Sequence, residues 1–399
     1  MSLGLLLLLK FLLMETTCNF MSFIPYGRQD IDQKDIDSVI RTLKSDYLTC
    51  GPAVEEFEKS FASLVGCKYT LALNNATAAL HLAVKALAKD SKKKVLTTPI
   101  TFAASANSVL YNNLEVDFVD IDPDSYLMDL DLLEAKLDDF PNLYQGIIPV
   151  DFAGLPIDIE RLRKIANKFN LWIVEDACHA PGGGIDTSRG YEMCGGGNFS
   201  DITTFSFHPV KHIACGEGGM LCTNNEQIYS LVKLLRSHGI ERSVGGDKPL
   251  WFQEMHELGF NYRMPDILAS LGNSQLDKLD KSVKRRNEIA MIYTDAFNKM
   301  EIKSQLQNSS CTNAYHLFVI EVEKRDELYN FLRSKDVGTQ IHYVPVYLHP
   351  YYESLGFRRG YCPVAEAYFE KCLSLPMFPT LKDSEQRRVI ELIGEFFGS

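Results

Sequence analysis

An α/β fold with a mainly parallel sheet is predicted by three observations. Short runs that are apolar on both faces recur between residues 45 and 275; stretches of helical periodicity separate them; and several of the runs end in a polar, chemically distinctive group. Strands this apolar belong to parallel sheets covered by helices on each side. The 399 residues also exceed the roughly 250–300 at which one core stops growing, so a second, smaller domain is expected.

The elements follow in order. Residues 1–22 contain an apolar run, Leu3 to Met14, broken by Lys10. It falls short of the roughly 20 residues of a membrane helix, and no small-residue cleavage site follows it. These residues are expected to be an extension outside the fold. Strand runs are YTLAL (69–73), VLTTPI (95–100), VDFVDI (116–121), QGIIPV (145–150), LWIVED (171–176) and ITTFSF (202–207). Helical patterns lie between them at 77–87, 105–112 and 159–169. After the charged stretch KSVKRRNE, Ile289, Ile292, Tyr293, Ala296, Phe297 and Met300 recur at helical spacing, as in a connecting helix. Strand and helix then alternate again, with Gly338 expected as a helix stop and Asp383 or Ser384 as an N-cap. A large domain over 23–280, including an N-terminal arm, and a small α/β domain over 281–399 are expected.

A formal net charge of −11 argues against nucleic acid as a partner, since phosphate neutralisation needs a basic surface. The ten cysteines are scattered, with no CxxC pair and no His/Cys cluster at zinc spacing, which points to a reducing, cytoplasmic compartment, no membrane association and no metal.

Three strand ends could carry chemistry. In open parallel sheets ligands bind beyond the carboxyl ends of strands. After YTLAL comes Asn74-Asn75-Ala76-Thr77 and then a helix whose free N–H groups suit a phosphate, although an ordinary N-cap reads the same way. After LWIV come Glu175 and Asp176, with His179 close behind: a carboxylate able to hold a protonated heterocyclic nitrogen, or merely a capping acid and a loop histidine. FSFHPVKHIACGEGGM supplies Ser206, Lys211 and a glycine-rich turn; a desolvated lysine is an amine nucleophile, whereas an exposed one is only a surface charge. His208 and His212 flank Lys211 without a carboxylate at ligand spacing, and no role follows for them. Together, a phosphate cradle, an acid for a pyridinium nitrogen and an amine for an aldehyde are what pyridoxal 5'-phosphate requires.

In order along the chain, LTCGPAVEEFE, NNATAALHL, TTPITFAASAN, PVDFAGLPID, VEDACHA, FSFHPVK with EGG, LRSHG, GFNYRMPDILASLGNSQL, IHYVPVY and SLPMFP resemble the DegT/StrS group of nucleotide-sugar aminotransferases. The resemblance runs from about Phe23 to the end. It implies the fold type I, aspartate-aminotransferase-like architecture, pyridoxal 5'-phosphate as cofactor, and transfer of an amino group from L-glutamate to a keto-sugar nucleotide. By it, Lys211 is the lysine bonded to the cofactor and the proton shuttle, and Asp176 pairs with the ring nitrogen. Ala76, Thr77 and Ser206 hold the phosphate, Phe102 stacks on the ring, and His179 stands where most members carry Gln. Asn261 reaches the phosphate from a second copy, which implies a homodimer with shared active sites. Tyr26, Asp46, Tyr47, Leu48, Thr49, Gln340, Ile341, His342 and Tyr343 contact substrate. The CHA, TTPITF and FSFHP forms are most similar to the pseudaminic-acid subgroup, which aminates C-4 of a UDP-linked 4-keto-6-deoxy-N-acetylhexosamine. Pro209, Cys178 and Cys215 depart from common forms.

Other readings remain. GDP-perosamine or dTDP-amino-sugar enzymes acting at C-3 or C-4 share most of these motifs. Related dehydratases carry histidine where this chain has Lys211. A non-catalytic cofactor-binding regulator would need an output module, and no basic helix-turn-helix precedes Met21. A nicotinamide enzyme would need a GxGxxG after the first strand.

Overall fold

The computed structural model describes residues 23–242, 248–249, 251–306 and 308–398. The expected extension over 1–22 lies outside the described residues.

The chain begins with α1 (Gln33–Leu43), α2 (Pro52–Val65), β1 (Tyr69–Leu73), α3 (Ala76–Leu87), β2 (Lys94–Thr97), α4 (Ala104–Tyr111) and β3 (Val116–Phe118). It continues through α5 (Leu130–Asp139), β4 (Tyr144–Ile148), α6 (Ile159–Lys168), β5 (Trp172–Asp176), the hairpin β6 (Gly184–Thr187) and β7 (Gly190–Met193), β8 (Ile202–Ser206) and β9 (Gly219–Thr223). Seven strands form one sheet in the order β1-β9-β8-β5-β4-β2-β3. Pairing is parallel from β8 through β5, β4 and β2 to β3, and antiparallel where β9 meets β8 and β1. Only β9 is reversed, so β1 again runs with the parallel set. The strands are almost wholly buried, as continuous apolar runs require.

Local chemistry explains where helices begin. Asp32 caps α1 and Asp35 returns the bond, a capping box; Pro52 opens α2 and Gly66, at φ +75°, closes it. Asp129 and Asp158 cap α5 and α6 through their carboxylates.

The second half comprises α7 (Glu226–Arg236), the exposed pair β10 (Ile240–Arg242) and β11 (Gln253–Met255), α8 (Asp266–Leu276) and the long α9 (Leu279–Lys299). Then come β12 (Lys303–Ser304), β13 (Cys311–Thr312), β14 (Phe318–Glu321), α10 (Arg325–Ser334), α11 (Pro350–Ser354), α12 (Pro363–Lys371), β15 (Cys372–Leu375) and α13 (Asp383–Phe397). Strands β12, β14 and β15 make a small antiparallel sheet, while β13 pairs with the β6–β7 hairpin. Tyr293 and Phe297 of α9 pack with Phe318, Leu332, Leu373 and Val389 in a second apolar cluster. The N-terminal arm joins it, since Ile24 bridges Val337 and the carbonyl of Tyr26 accepts from the Met377 N–H at 3.0 Å.

Two expected helix limits are corrected. Gly338 is not the stop of α10, which ends at Ser334 with Asp336 in the left-handed region; the Gly338 N–H donates instead to Ile24 O. At α13 the cap is Lys382, whose N–H donates to Glu385 Oε2 at 2.9 Å, so Asp383 and Ser384 lie inside the helix. There Asp383 meets Arg285 at 2.6 Å.

Candidate active site

Strand register brings the three chemical strand ends together. Leu73 at the end of β1 and Ser206 at the end of β8 both lie opposite Gly219, the first residue of β9, and Asp176 lies beside Thr204 of β8. The carboxyl ends of β1, β5 and β8 thus share one edge of the sheet. A side chain at residue 219 would stand 2.5 Å from the Asn75 carbonyl carbon and 2.6 Å from the Ala76 nitrogen. Glycine there lets β9 start directly against α3.

Asn75 caps α3, its Oδ1 accepting from the Ala78 N–H at 2.8 Å. That bond leaves the first two helical N–H groups, on Ala76 and Thr77, facing out of the helix start where the macrodipole favours an anion. Both residues line a cavity of about 830 Å³, as do Asp176, Ser206 and Lys211.

Asp176 is buried and held on both oxygens. Oδ2 accepts from Ser105 Oγ at 2.7 Å, and Oδ1 from the Cys178 N–H at 3.2 Å. Lys211 lies on the loop between the antiparallel neighbours β8 and β9, which returns it over the sheet edge. Burial is the main reason its ammonium pKa falls to about 8; the Cys178 thiol and the Asp176 carboxylate resist that fall, and Arg286 adds to it. Its Nζ lies 3.2 Å from Nε2 of His316.

The tautomer of His179 follows from its partners. Nδ1 accepts from the Ala153 N–H at 3.2 Å, so the proton sits on Nε2 and is donated to the Tyr343 hydroxyl, also at 3.2 Å. Burial, then the nearby Lys211, pushes this imidazole well below its usual pKa and keeps it neutral. Both ring nitrogens being engaged, His179 offers a ligand its ring, while Tyr343 keeps a hydroxyl proton to give.

The remaining expected residues divide into two groups. Tyr26, Phe102, His342 and Tyr343 line the cavity. His342 is buried, its Nδ1 2.8 Å from Ser374 Oγ, and burial pushes its pKa down to about 3. Asp46, Tyr47, Leu48 and Thr49 form an exposed turn before α2, away from the cavity within one chain, and Gln340, Ile341 and Asn261 are not among its lining residues either. Phe102, at the cavity, is 64% exposed.

Several residues escaped the sequence reading. His316, two positions before β14, is buried against Lys211 and follows no periodic signal. His208 lines the cavity, whereas His212 donates from Nε2 to Ala314 O at 2.7 Å and so serves the backbone. Arg286 of α9 is fully buried, donating from one terminal nitrogen to the carbonyls of Tyr315 and Met377 at 3.0 Å and of His316 at 3.4 Å.

An amine, a carboxylate held at a strand end and a helix start bearing free N–H groups converge on one enclosure, and this donor set fits pyridoxal phosphate in each of its three functions. The fold and the site are those of a pyridoxal-phosphate enzyme of fold type I. Residues 29–394 match the DegT/DnrJ/EryC1/StrS aminotransferase family, and the chain belongs to that pyridoxal-phosphate-dependent family.

Among relatives, UDP-4-amino-4,6-dideoxy-N-acetyl-β-L-altrosamine transaminase of Campylobacter jejuni (serotype O:23/36) is 39% identical over 338 residues, 83% of this chain and 86% of the relative. The spore coat polysaccharide biosynthesis protein SpsC of Bacillus subtilis is 34% identical over 383 residues, 93% of this chain and 96% of the relative. The solved structure of Helicobacter pylori PseC, an aminotransferase involved in the biosynthesis of pseudoaminic acid, superposes with a TM-score of 0.84 at 26% identity, covering 94% of this chain and all of that one (100%). Among the described residues no helix is long and apolar enough to cross a membrane.

Proposed function

We propose that this protein moves an amino group from L-glutamate to C-4 of a UDP-linked 4-keto-6-deoxy-N-acetylhexosamine, in the cytoplasm, on the route to a nonulosonic acid of the pseudaminic type or to a polysaccharide. The observation that carries the reaction class is the convergence of Lys211, Asp176 and the Ala76–Thr77 helix start on one cavity. The sugar is supported by the name of the Campylobacter relative at 39% identity. The Bacillus relative, named for spore coat polysaccharide, favours a second reading in which another nucleotide-linked keto-sugar is aminated, at C-3 or C-4.

When bound, pyridoxal phosphate supplies the aldehyde and the electron-withdrawing ring that let an amino group pass from donor to acceptor. This chain's residues do the rest. The Ala76 and Thr77 N–H groups and the Ser206 hydroxyl bind the phosphate. The Asp176 carboxylate, fixed by Ser105 and the Cys178 N–H, faces the ring nitrogen and keeps it protonated. Lys211, with its pKa near 8, holds a useful fraction of free amine at neutral pH and moves the proton at the reacting carbon. Tyr343, oriented by neutral His179, offers its hydroxyl to the substrate.

A homodimer is part of this proposal. Asn261 and the Asp46–Thr49 turn are exposed in one chain, with Tyr47 54% and Leu48 48% accessible, and they complete the site only from a second copy. The proposal also divides the chain into a large domain over 23–280 and a small one over 281–399; the second apolar cluster lies mostly in the latter, although Ile24 joins it and Leu317, Val346, Tyr347 and Tyr368 pack into the first cluster. The test is a half-reaction: holoenzyme treated with L-glutamate loses its visible absorption, the donor is removed, and keto-sugar nucleotides are added singly. Recovery with the UDP-linked 4-keto sugar is expected; recovery only with a GDP- or dTDP-linked sugar moves the assignment to the second reading, and no recovery with any of them sinks both.

A further inference from the structure

We propose that His316 is a positioning residue for Lys211: its Nε2 accepts a hydrogen from the ε-amine whenever that amine is not bonded to the cofactor, and holds it at the cavity wall. The proposal rests on the reading of Lys211 as the cofactor lysine. Four observations carry it.

The contact itself is specific. Lys211 Nζ and His316 Nε2 are 3.2 Å apart, and among the described residues His316 is the hydrogen-bond partner of that amine. The ring is also fixed rather than mobile. It is buried, its ring centroid lies 4.4 Å from that of His179 with the two planes tilted by 51°, and its backbone carbonyl and that of Tyr315 are gripped by Arg286. Nδ1 has no hydrogen-bond partner among the described residues, so the ring's hydrogen-bonded nitrogen is the one that meets Lys211, and with Nε2 accepting the ring proton sits on Nδ1. Finally, burial, with Lys211 and the neighbouring histidines and Arg286 adding to it, keeps the imidazole well below its ordinary pKa and therefore neutral. A neutral imidazole can offer Nε2 as a lone pair to an ammonium N–H; a protonated one could only repel it.

The charges that face Lys211 come from every side of the enclosure. Asp176, Cys178 and His179 lie on β5 and the turn after it, His212 is the next residue, Arg286 comes from α9 and His342 follows α10. They set the field at the amine without bonding it. A side chain as long as lysine has many rotamers open to it once released, and one fixed acceptor removes most of that search. Accepting a bond from the ammonium also stabilises the charged form relative to the amine.

The test is a titration of Lys211 in cofactor-free enzyme. Amines are labelled with trace acetic anhydride across the neutral and alkaline range, and the peptide bearing Lys211 is quantified by mass spectrometry. His316→Leu is expected to lower the labelling midpoint by about one pH unit, the size of a charge-assisted hydrogen bond. His316→Gln, which keeps an acceptor, is expected to stay near wild type. Equal midpoints in all three proteins would overturn the proposal. Should His316→Leu not fold, His316→Asn, whose shorter side chain withdraws the acceptor, takes its place against His316→Gln under the same criterion. No donor or keto-sugar enters this titration, so its failure leaves the transaminase reading intact, and failure of the half-reaction assay leaves this titration interpretable.

Discussion

The cavity has a floor and a wall of different origin. The floor consists of strand ends and the turns that follow them: Ala76 and Thr77 after β1, Asp176 on β5, and Ser206 and Lys211 at the end of β8 and beyond. The wall, with His316, His342 and Tyr343, comes from residues more than 100 positions further on, and is fixed through Arg286, Ser374 and His179. Floor groups owe their placement to sheet register, a property of the whole core. Wall groups owe theirs to single long-range bonds. The two should therefore respond differently to substitution: floor changes should remove chemistry with little loss of fold, and wall changes should remove less chemistry but cost stability as well.

The largest effect is expected at Lys211. Lys211→Ala deletes the amine proposed to bond the cofactor and move the proton, so amino transfer should fall by about 10⁴-fold or more, with the visible absorption of the holoenzyme lost and the melting temperature little changed. Retention of both absorption and transfer would sink the assignment. Asp176→Asn comes next, at about 10²- to 10³-fold. Its amide cannot balance a ring cation, and with one oxygen in place of two it cannot accept from both Ser105 and the Cys178 N–H. A rate within a few-fold of wild type would show that the ring charge is met elsewhere.

On the wall, Tyr343→Phe strands the His179 Nε2–H in a buried place. About 10-fold in rate and roughly 1–2 kcal/mol in unfolding free energy are expected to go together. Loss of rate with unchanged stability, measured by denaturant titration, would mean that Tyr343 belongs with the floor.

The same difference decides what could be read from the sequence. The run YTLAL was bounded as the structure has it, and LWIVED overran β5 by one residue, because a doubly buried strand advertises itself by composition. Lys211 and Asp176 stood out because each interrupts or ends such a run. Strand β9 did not, because GMLCT follows a glycine cluster that read as a turn, and its reversed direction depends on the loop that carries Lys211. His316 sits in a stretch without periodicity, and its meaning lies entirely in the 105-residue separation from Lys211. His342 and Tyr343 were reached by resemblance alone, since nothing in IHYVPVY states which cavity it will face.

One buried group belongs to neither region and bears on stability alone. Asp151, fully buried after β4, lies against Glu175 of the neighbouring β5 and Cys194, their ligating atoms all within 4.8 Å. Its Oδ1 accepts from the Ile157 N–H at 3.0 Å, while Oδ2 has no donor among the described residues. Two carboxylates this close cannot both be charged in a dry interior, and burial first, then Glu175, pushes the Asp151 pKa well up. The sign follows from proton counting. Below about pH 4 folded and unfolded chains both carry the proton. Above it the unfolded chain releases the proton and the folded pair keeps it, so folding weakens by about 1.4 kcal/mol per pH unit until the folded carboxyl itself ionises. Asp151→Asn keeps an acceptor for Ile157 and gains a donor toward Glu175 without the titrating proton. Its unfolding free energy should therefore rise relative to wild type as pH increases from about 5 to 7, by about 1–3 kcal/mol in total. Parallel stability curves for the two proteins over that interval would show that the pair does not hold its proton on folding, and that the orphaned oxygen is met in another way.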